Sequence, residues 1–221
     1  MKKQVIIVAG GNGSRMGTIL PKQFIEISGK PILLRTLENF YSFDSKIDIV
    51  LVLPSQEIER WENICKTFKC EIKHRIVKGG TTRFESVKNG LKLLIDDALV
   101  AVHDGVRPFV SHETLSACFE VAGEKGVAIP SLEMVDSVRI KIGEGSESCD
   151  RSQYRVVQTP QVFRSDILKK AYNQPYKYYF TDDASAVENV APIYLVEGNR
   201  ENIKITTAFD LQIAEVLLKN Q

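Results

Sequence analysis

Residues 4–17 read Gln4-Val5-Ile6-Ile7-Val8-Ala9-Gly10-Gly11-Asn12-Gly13-Ser14-Arg15-Met16-Gly17, with Leu20-Pro21-Lys22-Gln23 close behind. A short apolar run of this kind suits a strand buried on both faces, the strand type of parallel sheets. Glycines directly after it let the backbone turn tightly and aim N–H groups at an anion, at the carboxyl end where open α/β sheets bind ligands. Arg15 and Lys22 add fixed charge beside the loop, a pairing suited to a polyphosphate. The loop matches neither common phosphate cradle: there is no G-x-x-x-x-G-K-[ST], and G-x-G-x-x-G fails because Met16 stands where the last glycine belongs.

Outward from this stretch, apolar runs alternate with amphipathic segments. Strands are expected at 4–9, 47–53, 71–77, 99–103, 127–130 and 193–196, and helices at 32–40, 56–68, 83–94, 112–125, 182–189 and 208–218. Pro31 at a first turn, Ser55, Ser111 and Thr181 as caps, and Thr207 with Asp210 as a capping box supply the helix starts. Strands feeding crossover helices give an α/β class with a mainly parallel sheet. One segment breaks the rhythm. Residues 135–142 alternate as V-D-S-V-R-I-K-I, GEGSES follows as a turn, and 154–158 resumes an extended pattern, which together read as an antiparallel hairpin projecting over about 133–158. A lone two-stranded hairpin is marginal in water, so this arm is expected to lean on a second subunit in a homodimer. Nothing rich enough in Pro, Gly or Ser divides the chain, so residues 1–221 are expected to form one domain.

Composition narrows the partners. Lys plus Arg number 29 against 28 Asp plus Glu, so no global field draws nucleic acid or an anionic membrane, and an anionic ligand must be held locally. The apolar run Val5 to Ala9 is too short for a signal peptide or a membrane span. Cys65, Cys70, Cys118 and Cys149 show no C-x-x-C pairing, and His74, His103 and His112 lack zinc-site spacing. The expectation is a cytoplasmic protein with reduced thiols.

Two further stretches bear chemistry. Gly79-Gly80-Thr81-Thr82-Arg83 leads into a helix carrying Glu85 and Ser86, where a helix N-terminus, hydroxyls and a guanidinium coincide. A plain capped helix with a surface arginine reads equally well. In Val102-His103-Asp104-Gly105-Val106-Arg107-Pro108-Phe109, Asp104 ends an apolar strand, placed to hold a hard cation such as Mg²⁺ or to pair with Arg107. His103 reads as a half-buried strand residue.

Taken in order, GGNGSRMG with LPKQ, GGTTRFESV, HDGVRP, DR with QTPQ, TDDAS and GNRENIKIT resemble the motifs of the 2-C-methyl-D-erythritol 4-phosphate cytidylyltransferase family across nearly the whole chain. The resemblance implies a Rossmann-like nucleotidyltransferase that joins CTP to a polyol phosphate with Mg²⁺, releases pyrophosphate, and works as a homodimer whose arm reaches the neighbour's site. Carried over by motif, Arg15 and Lys22 would stabilise charge on the α-phosphate and the leaving pyrophosphate. Ala9, Gly10, Gly11 and Gly13 would contact CTP through the backbone, and Gly80, Thr81, Arg83 and Ser86 would hold its base and ribose. Asp104 would sit by metal and ribose, with Gly105 beside the nucleotide. Arg107, Ser137, Arg151, Thr159 and Thr181 would face the acceptor, some of them from the second subunit, and Arg151 and Lys204 would orient its phosphate. The chain departs from the family pattern where Gly105 often is Ala, Thr81 often is Asp and Ser137 often is Thr. D-ribitol-5-phosphate cytidylyltransferases share the glycine loop, the HD-x-VRP type motif and QTPQ. A non-catalytic nucleotide-binding dimer has less use for both Arg15 and Arg151.

Overall fold

Val5, Ile6 and Ile7 are fully buried, and the strand they belong to is paired on both sides. The computed structural model describes residues 1–10 and 20–219, so Gly11, Gly13 and Arg15 lie outside the described residues. The strands are β1 (Lys2–Val8), β2 (Glu26–Ile27), β3 (Lys30–Pro31), β4 (Asp48–Leu53), β5 (Arg75–Lys78), β6 (Ala98–Asp104), β7 (Val127–Glu133), β8 (Arg139–Ile142), β9 (Gly145–Ser148), β10 (Arg155–Val157), β11 (Gln161–Arg164) and β12 (Leu195–Glu197). The helices are α1 (Ile32–Phe43), α2 (Ile58–Thr67), α3 (Arg83–Leu91), α4 (His112–Lys125), α5 (Ser165–Tyr172), α6 (Asp183–Val187) and α7 (Ala208–Lys219).

Eight strands form one sheet in the order β10-β7-β11-β6-β1-β4-β5, with β12 also on β7. β1 runs parallel to both β4 and β6, β4 to β5, and β7 to β12. β11 and β10 run antiparallel to their neighbours. Because side chains alternate along each strand, one sheet feeds two cores. Val5, Ile7, Ile49 and Leu51 pack with Leu37 and Phe40 of α1, Trp61 of α2 and Phe119 of α4. Ile6, Val50, Val52 and Val100 pack with Phe84 and Val87 of α3, Leu168 of α5 and Val187 of α6. Helices therefore cover both faces, as an α/β reading requires. Among the described residues no helix is long and apolar enough to cross a membrane.

Three expectations need correction. The strand expected at 71–77 is the later and shorter β5. β11 and α5 were not expected; β11 is four residues long, and its buried Gln161 hides the apolar pattern. The hairpin closes earlier than its alternation suggests. Gly143 adopts φ +55, so residues 143–144 make the turn and β8 pairs with β9, inside the stretch read as a loop. β10, expected to be the return strand, instead lies against Ser131 to Glu133 at the end of β7. All residues of β8 and β9 are exposed.

Gly90 shows how tightly α3 sits on the sheet. A methyl there would lie 2.8 Å from Ile6 Cγ2 and 3.3 Å from Val52 Cγ2. Alanine gains up to about 1 kcal/mol of helix propensity, whereas overpacking a filled core costs about 1–3 kcal/mol. Gly90→Ala is therefore expected to lower the urea midpoint at unchanged m-value, by about 1 kcal/mol net. A raised midpoint would mean that the interface yields.

Candidate active site

The carboxyl ends of β1 and β6 lie side by side, with Val8 in register with Asp104. Asp104 is buried, and three basic side chains from separate segments meet its carboxylate. Lys204 Nζ lies 3.0 Å and Arg107 Nε 3.3 Å from Oδ2, and Arg83 Nε 3.6 Å from Oδ1. Burial opposes ionisation of Asp104, but the charges of Arg83, Lys204 and Arg107 prevail and hold its carboxyl well below the usual range. On its far side Arg83 donates to Asp183 Oδ2 at 2.6 Å. Asp183 is fully buried and also accepts from the Tyr172 hydroxyl at 2.6 Å. Burial, then the Asp183 charge, raise the Tyr172 pKa well above its ordinary value, so that hydroxyl remains a donor.

His103 is fully buried, deeper than its half-buried expectation. Its Nε2 lies 2.9 Å from the Arg107 carbonyl, which only accepts, so Nε2 carries the proton. Nδ1 is then bare and accepts from the Thr159 hydroxyl at 3.1 Å, while that same oxygen takes the Asp104 N–H at 3.1 Å. The hydroxyl hydrogen of Thr159 is thus committed to the protein. Burial lowers the His103 pKa to about 4, leaving a neutral imidazole at pH 7.

Lys204 reaches the site because buried amides fix its loop. Asn202, fully buried, donates to the Thr159 carbonyl at 2.8 Å and to Gln158 Oε1 at 3.3 Å, and its own carbonyl accepts from Arg107 Nη1 at 2.8 Å. Asn199 donates to the Phe109 carbonyl at 2.9 Å and accepts from the Ser111 N–H at 3.0 Å. Ile205 N–H then bonds the Val106 carbonyl at 3.0 Å, which sets the backbone next to Lys204.

The second glycine turn caps α3. Thr82 and Glu85 form a capping box, and Glu85 Oε2 also accepts from Thr81 N at 2.8 Å and Thr81 Oγ1 at 2.5 Å. Position 80 has no room for a side chain, because a Cβ there would lie 2.3 Å from Glu85 Cβ. Ser86 Oγ accepts the Gly80 N–H at 3.1 Å and donates to the Thr82 carbonyl at 2.9 Å. On the opposite wall Gln23 donates to the Ala9 carbonyl at 2.9 Å, and Phe24 stacks on Trp61 at 6.4 Å, so the turn bearing Lys22 is anchored to β1 and α2.

Two cavities open onto these groups. The first, about 250 Å³, is lined among the described residues by Ala9, Gly10, Lys22, Gly80, Thr81, Arg83, Ser86, Asp104 and Lys204, among others. The second, about 230 Å³, takes in Arg83, Asp104, Arg107, Gln158, Thr159, Thr181, Asp182 and Lys204. Arg83, Asp104 and Lys204 form the wall common to both. Gly105 lines neither: its N–H bonds the Val8 carbonyl at 2.9 Å, and a Cβ there would lie 2.9 Å from that of Ala9. Ser137 and Arg151 also stand away from both cavities, where Arg151 donates to the Val135 carbonyl. No cluster of three His, Cys, Asp or Glu suited to a metal occurs among the described residues. A magnesium ion needs only one or two carboxylates when substrate phosphates complete its shell; Asp104 is a carboxylate that lines both cavities, its oxygens now shared by Arg83, Arg107 and Lys204.

Sequence reasoning missed the residues that hold these groups in place: Gln23, Gln158, Tyr172, Asp183, Asn199 and Asn202. Most stand within the motifs quoted above, but a buried amide or carboxylate carries no local signature separating it from a surface one.

The family model for 2-C-methyl-D-erythritol 4-phosphate cytidylyltransferase matches residues 4–220. Proteins of that name from Bacteroides fragilis and Phocaeicola vulgatus are each 53% identical over 219 residues, covering 99% of this chain and 100% of theirs. The crystal structure of 4-diphosphocytidyl-2C-methyl-D-erythritol synthase from Anaerococcus prevotii superposes with a TM-score of 0.84 at 29% identity, over 99% of this chain and 96% of that one. That of 2-C-methyl-D-erythritol 4-phosphate cytidylyltransferase from Thermus thermophilus gives 0.80 at 30% identity, over 99% and 100%.

The His103 environment has a pH consequence. Below about pH 6.5 the unfolded chain protonates this imidazole, whereas the folded chain resists until about pH 4. The unfolded state binds more protons in that window, so stability is expected to fall by up to about 3 kcal/mol as pH drops through it. Denaturant titrations of His103→Gln should show a shallower slope between pH 6.5 and 4, although the variant starts less stable; an unaltered slope would contradict the assignment.

Proposed function

The chain belongs to the 2-C-methyl-D-erythritol 4-phosphate cytidylyltransferase family, and we propose that it transfers the cytidylyl group of CTP to the phosphate of 2-C-methyl-D-erythritol 4-phosphate. Pyrophosphate leaves, and 4-diphosphocytidyl-2-C-methyl-D-erythritol forms for isoprenoid biosynthesis. The observation that carries this reading is the wall of Arg83, Asp104 and Lys204 common to two cavities, which lets two anions meet. In this reading CTP occupies the cavity of Ala9, Gly10, Gly80, Thr81, Arg83 and Ser86, Gly11 and Gly13 contact it through the backbone as the family pattern implies, and Gly105 stands behind the cavity with its N–H on the Val8 carbonyl. The acceptor occupies the cavity of Arg107, Thr159 and Thr181.

A phosphomonoester has its second pKa near about 6, so at pH 7 the acceptor phosphate is mostly a ready anionic nucleophile. It attacks the α-phosphorus as the bond to pyrophosphate breaks, and needs no general base. The neutral His103, with both nitrogens engaged, agrees with that. What must be overcome is repulsion between two anions, so catalysis rests on positioning and on cations aimed at the transferring group. Lys22, with Arg15, stabilises the charge on the α-phosphate and leaving group. Lys204 and Arg107 draw in the acceptor phosphate. Asp104 would hold Mg²⁺ carried in with the triphosphate, an ion that would neutralise phosphate charge as a Lewis acid.

The reading includes a homodimer of single-domain chains in the cytoplasm, where CTP is found. Val135, Ile140 and Ile142 are exposed on the arm, an apolar surface that a second copy would cover. The arm of that copy would carry Ser137 and Arg151 to the acceptor cavity.

Pyrophosphate release, measured with each of four nucleoside triphosphates and either methylerythritol 4-phosphate or ribitol 5-phosphate, tests the assignment. Release is expected only with CTP and the first acceptor. Ribitol phosphate as the better acceptor would reassign the substrate, and no release in any combination would overturn the transferase reading. Lys22→Ala is expected to lower kcat by about 10²–10³ with an unchanged circular dichroism spectrum, the loss typical of one charge-stabilising donor. Mixing Lys22→Ala with Arg151→Ala should restore about a quarter of wild-type activity, since half of the dimers are mixed and one of two sites in each is whole. A mixture as inactive as its parents would place both residues in one subunit's site.

A further inference from the structure

Helix α2 ends in a left-handed turn. Lys69 has φ +50, its N–H bonds the Lys66 carbonyl at 3.3 Å, and the Cys70 N–H bonds the Cys65 carbonyl at 2.9 Å. This pair of bonds is a Schellman motif, and it brings together the side chains at its first and last positions, ordinarily as a hydrophobic contact. Here both positions are cysteines. The two residues are joined by that 2.9 Å backbone bond, both pack against the edge of the same core, and both are partly exposed to solvent. A disulfide needs Cα atoms about 4.4–6.8 Å apart, a range compatible with a 2.9 Å backbone bond between the same two residues. Cys118, by contrast, is buried.

We propose that Cys65 and Cys70 are a redox-active dithiol that closes reversibly into an intramolecular disulfide, with a low-molecular-weight disulfide such as glutathione disulfide as oxidant. Burial, then the neighbouring Cys70 sulfur, push the Cys65 thiol up to about 12, so Cys65 keeps its proton and Cys70 begins the exchange. The Cys70 thiolate attacks one sulfur of the oxidant, expels one glutathione thiolate and forms a mixed disulfide. Cys65 then gives its proton to solvent, attacks the Cys70 sulfur and expels the second glutathione. Two protein thiols are oxidised by two electrons, and one glutathione disulfide is reduced to two thiols. In a reducing compartment the pair rests open and closes as glutathione disulfide accumulates. The sequence conceals this pairing: the spacing of Cys65 and Cys70 is not C-x-x-C, and only the left-handed turn at Lys69 folds one thiol back onto the other.

The test uses the whole protein, equilibrated across glutathione to glutathione disulfide ratios, acid-quenched, alkylated and cut with trypsin after Arg60, Lys66, Lys69 and Lys73. The expected product is peptide 61–66 joined to peptide 70–73 and lighter by two hydrogens, rising with the oxidant and lost on adding dithiothreitol. In Cys65→Ser, Cys70 should instead carry glutathione at the same ratios. The proposal is overturned if the wild-type peptides emerge separately alkylated at every ratio, or if wild-type Cys70 accumulates glutathione without the joined product.

Discussion

Asp104 is buried at the carboxyl end of β6 with Lys204, Arg107 and Arg83 at 3.0, 3.3 and 3.6 Å from its oxygens. A carboxylate removed from water costs several kcal/mol unless charges and hydrogen bonds compensate it. These three cations do so, and each comes from a different part of the chain. Asp104 therefore acts as the point on which the second glycine turn, the HDGVRP loop and the GNRENIK loop converge. Removing it would leave three like charges facing one another across a cavity wall.

The arrangement suits a reaction between two anions. Cations gathered this closely would repel one another, and a shared carboxylate holds them together. Rigidity comes from behind. Asp183 and Tyr172 hold the far side of Arg83, Asn202 and Gln158 hold the loop of Lys204, and His103 locks Thr159 to the end of β6. Each of these is a buried polar group held by hydrogen bonds within the protein, although Asn202 Oδ1 has no partner among the described residues, and such bonds fix geometry more sharply than apolar packing alone.

Much of this was legible in the sequence. The apolar run at 4–9 gave the central strand, the capped amphipathic segments gave most of the helices, and the motifs containing Lys22, Arg83, Asp104, Arg107 and Lys204 gave residues that do line the two cavities. The rest was hidden for identifiable reasons. β11 is short and carries a buried glutamine whose amide bonds Asp182 and Ala184, so its pattern is not apolar. The β8–β9 register turns on Gly143 rather than on hydrophobic alternation. Asn202 and Asp183 act through tertiary contacts 43 and 100 residues distant in sequence, which no local window contains.

The most direct test of the central claim is a crystal structure of the protein with Mg²⁺, methylerythritol 4-phosphate and a CTP analogue bearing an α,β-methylene bridge. The account predicts the α-phosphate and the acceptor phosphate meeting at the Arg83–Asp104–Lys204 wall, one entering from each cavity and close enough for in-line attack. A triphosphate seated away from that wall, or an acceptor phosphate out of reach of Lys204 and Arg107, would contradict it.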